Sequence, residues 1–382
     1  MLSAADDYPV HQLPEPVAFA GSDRNFYDRY YFQGYDAAGE AFFGGALGVY
    51  PHLNLADAAF MIQRGGVQHS LFASRHLDHE RMDTRVGPIA VEVVEPLRRL
   101  RLSVADAAHD FHATLEFSGR AAPVEEPRFT HRAGALTVLD LTRMTQGGRW
   151  QGEIALGGER FAVDGWRGAR DRSWGVRPLG ARDPRPHAAA GEPQWYWLWA
   201  PLHFDDCMLF FHTNDDARGE GWNRAAVLVP VDGGAPQPLG AVRHRPVYRP
   251  GTRQLAALRI DACLADGGAI EVDIDCGAVV YKQGEGYNHP VWGHGMYHGA
   301  FATAFETLDT RALDPNDFAQ VHLHALATAT LRRPGRAPAR GQGVVEQMIL
   351  GAHAPSGFTG LADVSAVAAR SGEAPSMRNA EQ

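Results

Sequence analysis

Lysine is almost missing from this chain: of 36 Lys and Arg residues, only Lys282 is a lysine. The sequence shows no Lys-rich arm and no basic stripe. With a formal net charge of −9, nucleic acid is excluded as an expected partner. The arginine bias itself carries no functional reading. Cysteine is nearly as scarce. Cys207, Cys263 and Cys276 are odd in number and lack metal-site spacing, so they read as thiols of a reducing compartment. No apolar run reaches the ~20 residues of a membrane helix. The opening Met1–Asp7 has neither a basic nor an apolar signal region. Cytoplasmic residence and no transmembrane segment are the expectations. There is also no G-x-S-x-G elbow, P-loop, G-x-G-x-x-G after a strand, H-E-x-x-H or C-x-x-C.

What the chain has is alternation. Its 382 residues favour two domains, and its 42 Gly and 24 Pro are spread throughout, as suits many short strands joined by turns. Leu100, Leu102 and Val104 alternate with Arg101 and Ser103. Beyond residues 105–110, Phe111, Ala113, Leu115 and Phe117 alternate with His112, Thr114 and Glu116, which predicts a hairpin with one apolar face. Ile154 and Leu156, then Gly157-Gly158, then Phe161 and Val163 predict a second hairpin with a tight turn. The pattern returns about 160 residues later. There, Leu258–Leu264 and Ile270–Cys276 flank Asp266-Gly267-Gly268, and long strands follow around Val321–Leu331 and Val344–Leu350. The expected fold is all-β: two tandem lipocalin-like antiparallel barrels or sandwiches with few short helices, distantly duplicated. The expected divisions are an N-terminal arm (1–16), a first domain (17–182), a linker or long loop (183–193), a second domain (194–365) and a disordered tail (366–382).

Four features could carry chemistry. In Gly165–Gly175, Asp171 lies between Arg170 and Arg172, followed by Trp174 and Gly175. Flanking guanidinium groups would hold that carboxylate ionised; the alternative is an ion-pair corner sealing a barrel end. In Trp195-Tyr196-Trp197-Leu198-Trp199, three indoles share one strand face. They could line an apolar pocket, with Tyr196 on the other face, or pack between sheets. In Tyr287–Gly299, Trp292, His294, Tyr297 and His298 lie among glycines. The i,i+4 histidines would suit a metal only on a helix, which Gly295 opposes, so no metal is expected. Tyr297 or one of the histidines fits a general acid better, and the alternative is a glycine-rich turn with surface histidines. Glu346 shares a face with Val344, Met348 and Leu350, so it is either a protonated acid in a dry cavity or the partner of an arginine. His322 and His324 share a strand face and, with His76 and His79, are read as surface residues.

The block Gly168-Ala169-Arg170-Asp171-Arg172-Ser173-Trp174-Gly175 resembles the "(Y)HDHNWG" block of the carotenoid 1,2-hydratase (hydroxyneurosporene synthase) and AttH-like superfamily. The stretches Val91–Leu100 and Gly343–Gln347 also look like a bacterial branch of that group. The resemblance implies two tandem lipocalin-like domains and cofactor-free addition of water, isomerisation or cyclisation on lipophilic, terpenoid-like substrates. Asp171, Trp174 and Gly175 match the block. Its second His is Arg172 here and its Asn is Ser173, and Arg cannot give up a proton near neutral pH.

The reading is therefore an enzyme of hydratase/dehydratase, isomerase or cyclase type, acting without a cofactor on a lipophilic terpenoid, steroid or aromatic small molecule. Glu346, Tyr297 or a histidine of the 294/298 pair would supply the proton. Asp171 would orient a water or polar group with help from Arg172. Trp174, Trp195, Tyr196, Trp197, Trp292 and His294 would bind the ligand, the indoles stabilising positive charge. The alternatives are a non-catalytic lipophile carrier and a module whose aromatics are all core.

Overall fold

The computed structural model describes residues 2–11, 23–179 and 193–367. Strand makes up 61% of it, and the helical part consists of short 3-10 turns. Residues 12–16 of the expected arm, nearly all of the expected linker and residues 368–382 of the expected tail lie outside the described residues.

Two large antiparallel sheets form a half-barrel and a nearly closed barrel. Among the described residues, one sheet has 13 strands and the other nine. In the first, strand Phe26–Tyr35 is flanked by Ala41–Tyr50 and by the 18-residue strand Glu159–Val176. In the second, Trp195–His203 is flanked by Cys207–Asp215 and by Ala339–Leu350. Each sheet thus places its own first strand between the next strand and a late one. That shared order gives topological content to the duplication expected from the strand patterns.

The hairpins lie where alternation put them. Leu100, Leu102 and Val104 pair with Phe117, Leu115 and Ala113, and all six are buried. Leu156 pairs with Glu159 across Gly157-Gly158, whose φ values of 58° and 83° suit a primed turn. Each sheet buries one apolar face. Tyr30, Phe32, Phe43, Phe60, Phe117 and Trp150 belong to the first core; Leu198, Leu209, Phe211, Ile260 and Val345 belong to the second. Each such side chain contributes about 1.5–3 kcal/mol by leaving water.

The chain divides into two compact units, and the division differs from the expected domains. The first unit holds residues 1–188 together with 282–311; the second holds 189–281 and 312–382. Residues 282–311, expected in the second domain, return to the first sheet, where strand Phe301–Asp309 pairs with Val67–His76. Among the described residues, no helix is long and apolar enough to cross a membrane.

Candidate functional site

In the second unit, alternation along Trp195–His203 turns Tyr196, Leu198, Ala200 and Leu202 into the apolar core. Trp195, Trp197 and Trp199 take the opposite face. Trp199 pairs in register with Glu346, and Glu346 with His324 on the next strand, so three neighbouring strands carry these side chains side by side. The Glu346 carboxylate is gripped from three directions. His322 Nε2 lies 2.8 Å from Oε1, His324 Nε2 lies 2.8 Å from Oε2, and the Trp197 indole N–H donates to Oε1 at 3.0 Å. All four residues are buried. Beside them His212 Nε2 meets Asn223 Oδ1 at 2.6 Å, and the His212 ring lies 5.9 Å from Trp197.

These contacts correct two expectations. Glu346 is not isolated: its partners include two imidazoles and an indole. His322 and His324 are not surface residues, with 5% and 0% of their area exposed. Oε1 accepts the Trp197 indole N–H, the roles in the two imidazole contacts depend on the histidine tautomers, and a carboxyl group held between two imidazoles can pass a proton from one to the other. Trp195 is half-buried, edge-on to Trp222 at 6.5 Å. Tyr196 points into the core. Its hydroxyl lies 3.1 Å from that of Tyr248, which lies 2.7 Å from Ser356 Oγ. Burial raises the Tyr196 phenol well above 10 and the Tyr248 phenol to about 12.

In the first unit, the 168–175 block forms the end of strand Glu159–Val176, and its alternation separates the residues expected to act together. Arg170, Arg172 and Trp174 face the N-terminal segment. Arg170 pairs with Asp7 and donates to Gln146 Oε1 at 2.8 Å. Arg172 pairs with Asp28 at 2.6 Å, reaches the Tyr8 carbonyl at 2.9 Å and lies 3.9 Å over the Tyr30 ring. Trp174 stacks on His11 at 3.6 Å, and His11 lies 2.7 Å from Asp28. Asp171 points the other way and accepts from Arg143 at 2.9 Å, which also meets Glu126 at 3.3 Å. The flanking arginines therefore do not hold Asp171. Gly175 has φ of 132°, and a Cβ there would lie 2.3 Å from the Asp140 carbonyl, so the block's glycine permits a close backbone approach.

Asp171 shares its face with Tyr27, Arg29 and Tyr31, and residues 282–294 cover this face. Lys282 lies 2.9 Å from Glu285, and its ammonium sits 3.7 Å from the Tyr31 ring centre and 4.4 Å from that of Tyr287. Glu285 rests on Gly44, where a Cβ would lie 1.5 Å from its carboxylate oxygen. Arg29 donates to the Tyr287 hydroxyl. The His294 ring stands edge-on to Tyr287 at 4.7 Å, with Nδ1 3.6 Å from Asp57 Oδ1. Burial, helped by the Arg29 charge and opposed by Asp57, lowers His294 to about 4. The 294/298 pair does not converge. His298 stacks on Trp292 at 3.9 Å, Trp292 in turn stacks on Phe72 at 5.8 Å, and burial lowers the His298 pKa. Tyr297 is 68% exposed beside His76.

The residues that the sequence does not mark as site candidates are His322, His324, Arg29, Lys282 and Glu285. His322 and His324 did carry a signal, their shared strand face. So did Lys282, as the sole lysine.

Over residues 2–359 the sequence matches a family described as a family of unknown function, DUF8625. The chain belongs to this family. No curated protein matches it. Among solved structures, a Nitrosomonas europaea protein provisionally assigned as AttH is 16% identical, with a TM-score of 0.52 over 89% of this chain and 98% of that one. Kievitone hydratase from Nectria haematococca is 13% identical, with a TM-score of 0.50 over 84% and 88%. CghA is 10% identical, with a TM-score of 0.53 over 90% and 95%. At these identities the likeness is one of fold, and it agrees with the AttH-like resemblance read from residues 168–175.

Proposed function

We propose that this DUF8625 member is a hydro-lyase- or isomerase-type enzyme that moves a proton on a lipophilic small molecule, of terpenoid, steroid or aromatic kind. The proposed chemistry needs no cofactor, and the proposed setting is the cytoplasm. The observation that carries the reading is the His322–Glu346–His324 cluster, on the indole side of its sheet and away from the apolar core. One imidazole would deliver a proton to an alkene or take one from a carbon acid, with Glu346 relaying charge to the other. The indoles of Trp197 and Trp199 would face developing positive charge. Two solved structures of this fold, one of them named as a hydratase, support the reaction class by analogy. Asp171, Arg172, Tyr297 and His298 are assigned supporting roles at most, because each is spent on another contact or open to water.

The test starts from organic extraction of freshly purified protein and mass spectrometry of any co-purifying lipophile. That compound is then incubated with the protein in deuterated, ¹⁸O-labelled water. Label incorporation that falls by about 10²–10⁴-fold in Glu346→Gln supports the enzyme. A bound lipophile that gains no label would make the protein a carrier instead.

A further inference from the structure

Arg29 is 3% exposed, and among the described residues no carboxylate lies within ion-pair distance of it. Its one side-chain hydrogen bond goes to the phenol of Tyr287, and its Nε has no partner. The carboxylate whose charge it feels, Asp171, is occupied by Arg143 at 2.9 Å. The aromatic neighbours bring no compensating charge at neutral pH, because burial raises both the Tyr287 and the Tyr50 phenol above the ordinary 10. Arg29 itself stays charged: burial works against the charge, but Asp171 and, at the high pH where they ionise, the surrounding phenols raise its pKa. A buried guanidinium with no carboxylate in contact is costly, and folded chains rarely keep one without a reason.

Two further groups beside it are also unmatched. The Tyr27 hydroxyl is 1% exposed and has no partner, and the guanidinium lies 5.9 Å from the Tyr27 ring centre. His294 presents Nδ1 to Asp57 and leaves Nε2 without a partner. The Tyr287 ring is the common wall, 4.6 Å from the guanidinium and 4.7 Å from the His294 ring. A cation with a free N–H, a phenol with a free O–H and a neutral imidazole with a free lone pair are thus gathered on apolar aromatic surface.

We infer that Arg29, with Tyr27, Tyr287 and His294, is a binding site for the carboxylate of a small organic acid. The guanidinium and the Tyr27 hydroxyl donate to the carboxylate oxygens, and the tyrosine rings cover its hydrocarbon part. His294 Nε2 accepts from a neighbouring ligand hydroxyl. The site belongs to the first unit and stands whether or not Glu346 takes part in catalysis.

Calorimetric titration of the full chain with benzoate and octanoate, with benzamide as the uncharged control, tests this. The acids should bind at least tenfold more tightly than benzamide and raise the melting temperature. Arg29→Met should lose both effects, and it should melt a few degrees higher than the parent without ligand, because it removes a buried charge that no carboxylate contacts. Arg29→Lys should retain part of the binding. Acids that bind no better than benzamide would overturn the inference. So would an Arg29→Met protein that melts lower or fails to fold, since the guanidinium would then be a structural strut.

Discussion

Asp7 and Arg170 are both fully buried, and each uses its charge on the other; Asp7 also accepts from the Leu97 amide. Breaking a buried pair from one side leaves the other charge stranded, at a cost of about 3–5 kcal/mol. Asp7→Ala should therefore lower unfolding free energy in urea by about that amount, whereas Asp6→Ala, which removes a half-buried side chain that meets His11 at 3.1 Å and accepts from the Ser3 amide, should cost only about 1 kcal/mol. Equal effects would show that the N-terminal segment is not anchored through Asp7. The pair also shows where reading single residues stopped short. Sequence adjacency suggests that Arg170 and Arg172 hold Asp171. Neighbours along a strand point apart, so the true partner of Asp171, Arg143, comes from the adjoining strand. Glu346 repeats the lesson. Its face was legible, but its partners depend on the register between Ala339–Leu350 and His322–Arg332, which no local pattern specifies.

Hairpins were the most legible elements, because two alternating runs and a glycine turn lie within one window. Strand Phe301–Asp309 was the least legible. Its partner, Val67–His76, lies more than 200 residues earlier, and its inward side chains are only half-buried, so its alternation is shallow. It covers an edge that would otherwise offer unpaired backbone groups. A fragment of residues 1–181 should thus be aggregation-prone, and a peptide of residues 282–311 added in trans should restore its solubility and sharpen its thermal transition. A fragment that is monomeric and melts cooperatively alone would mean that the returning segment is dispensable to the first unit.

Across the whole molecule, acid should act in two stages. His244 and His294 are both lowered by burial from 6.5 to about 4. Between those values the unfolded chain binds the protons and the folded one does not. Stability is therefore full above about pH 6.5 and falls towards pH 4, by an order of 2–3 kcal/mol per residue. Asp215 acts lower. The His353, Thr213 and Arg224 hydrogen bonds and the His244 charge outweigh its burial and hold it at about 2 against 3.8, so its contribution is present above about pH 3.8 and is lost as pH falls through 2. Urea titrations at pH 7, 5.5 and 4 should show the first stage, with His294→Gln removing part of the slope; a flat profile would refute the assignment. The fold class was legible at this scale because period-two patterning pervades the chain, whereas the discontinuous first unit was not. That discontinuity has a consequence for the chain's birth. Residues 189–311, 123 in all, follow the main part of the first unit before its closing strand is complete. At about 5–20 residues per second, a ribosome takes roughly 6–25 s to make them. Throughout that interval the nascent first sheet waits with an open edge, so chaperone demand should peak in mid-translation rather than at release.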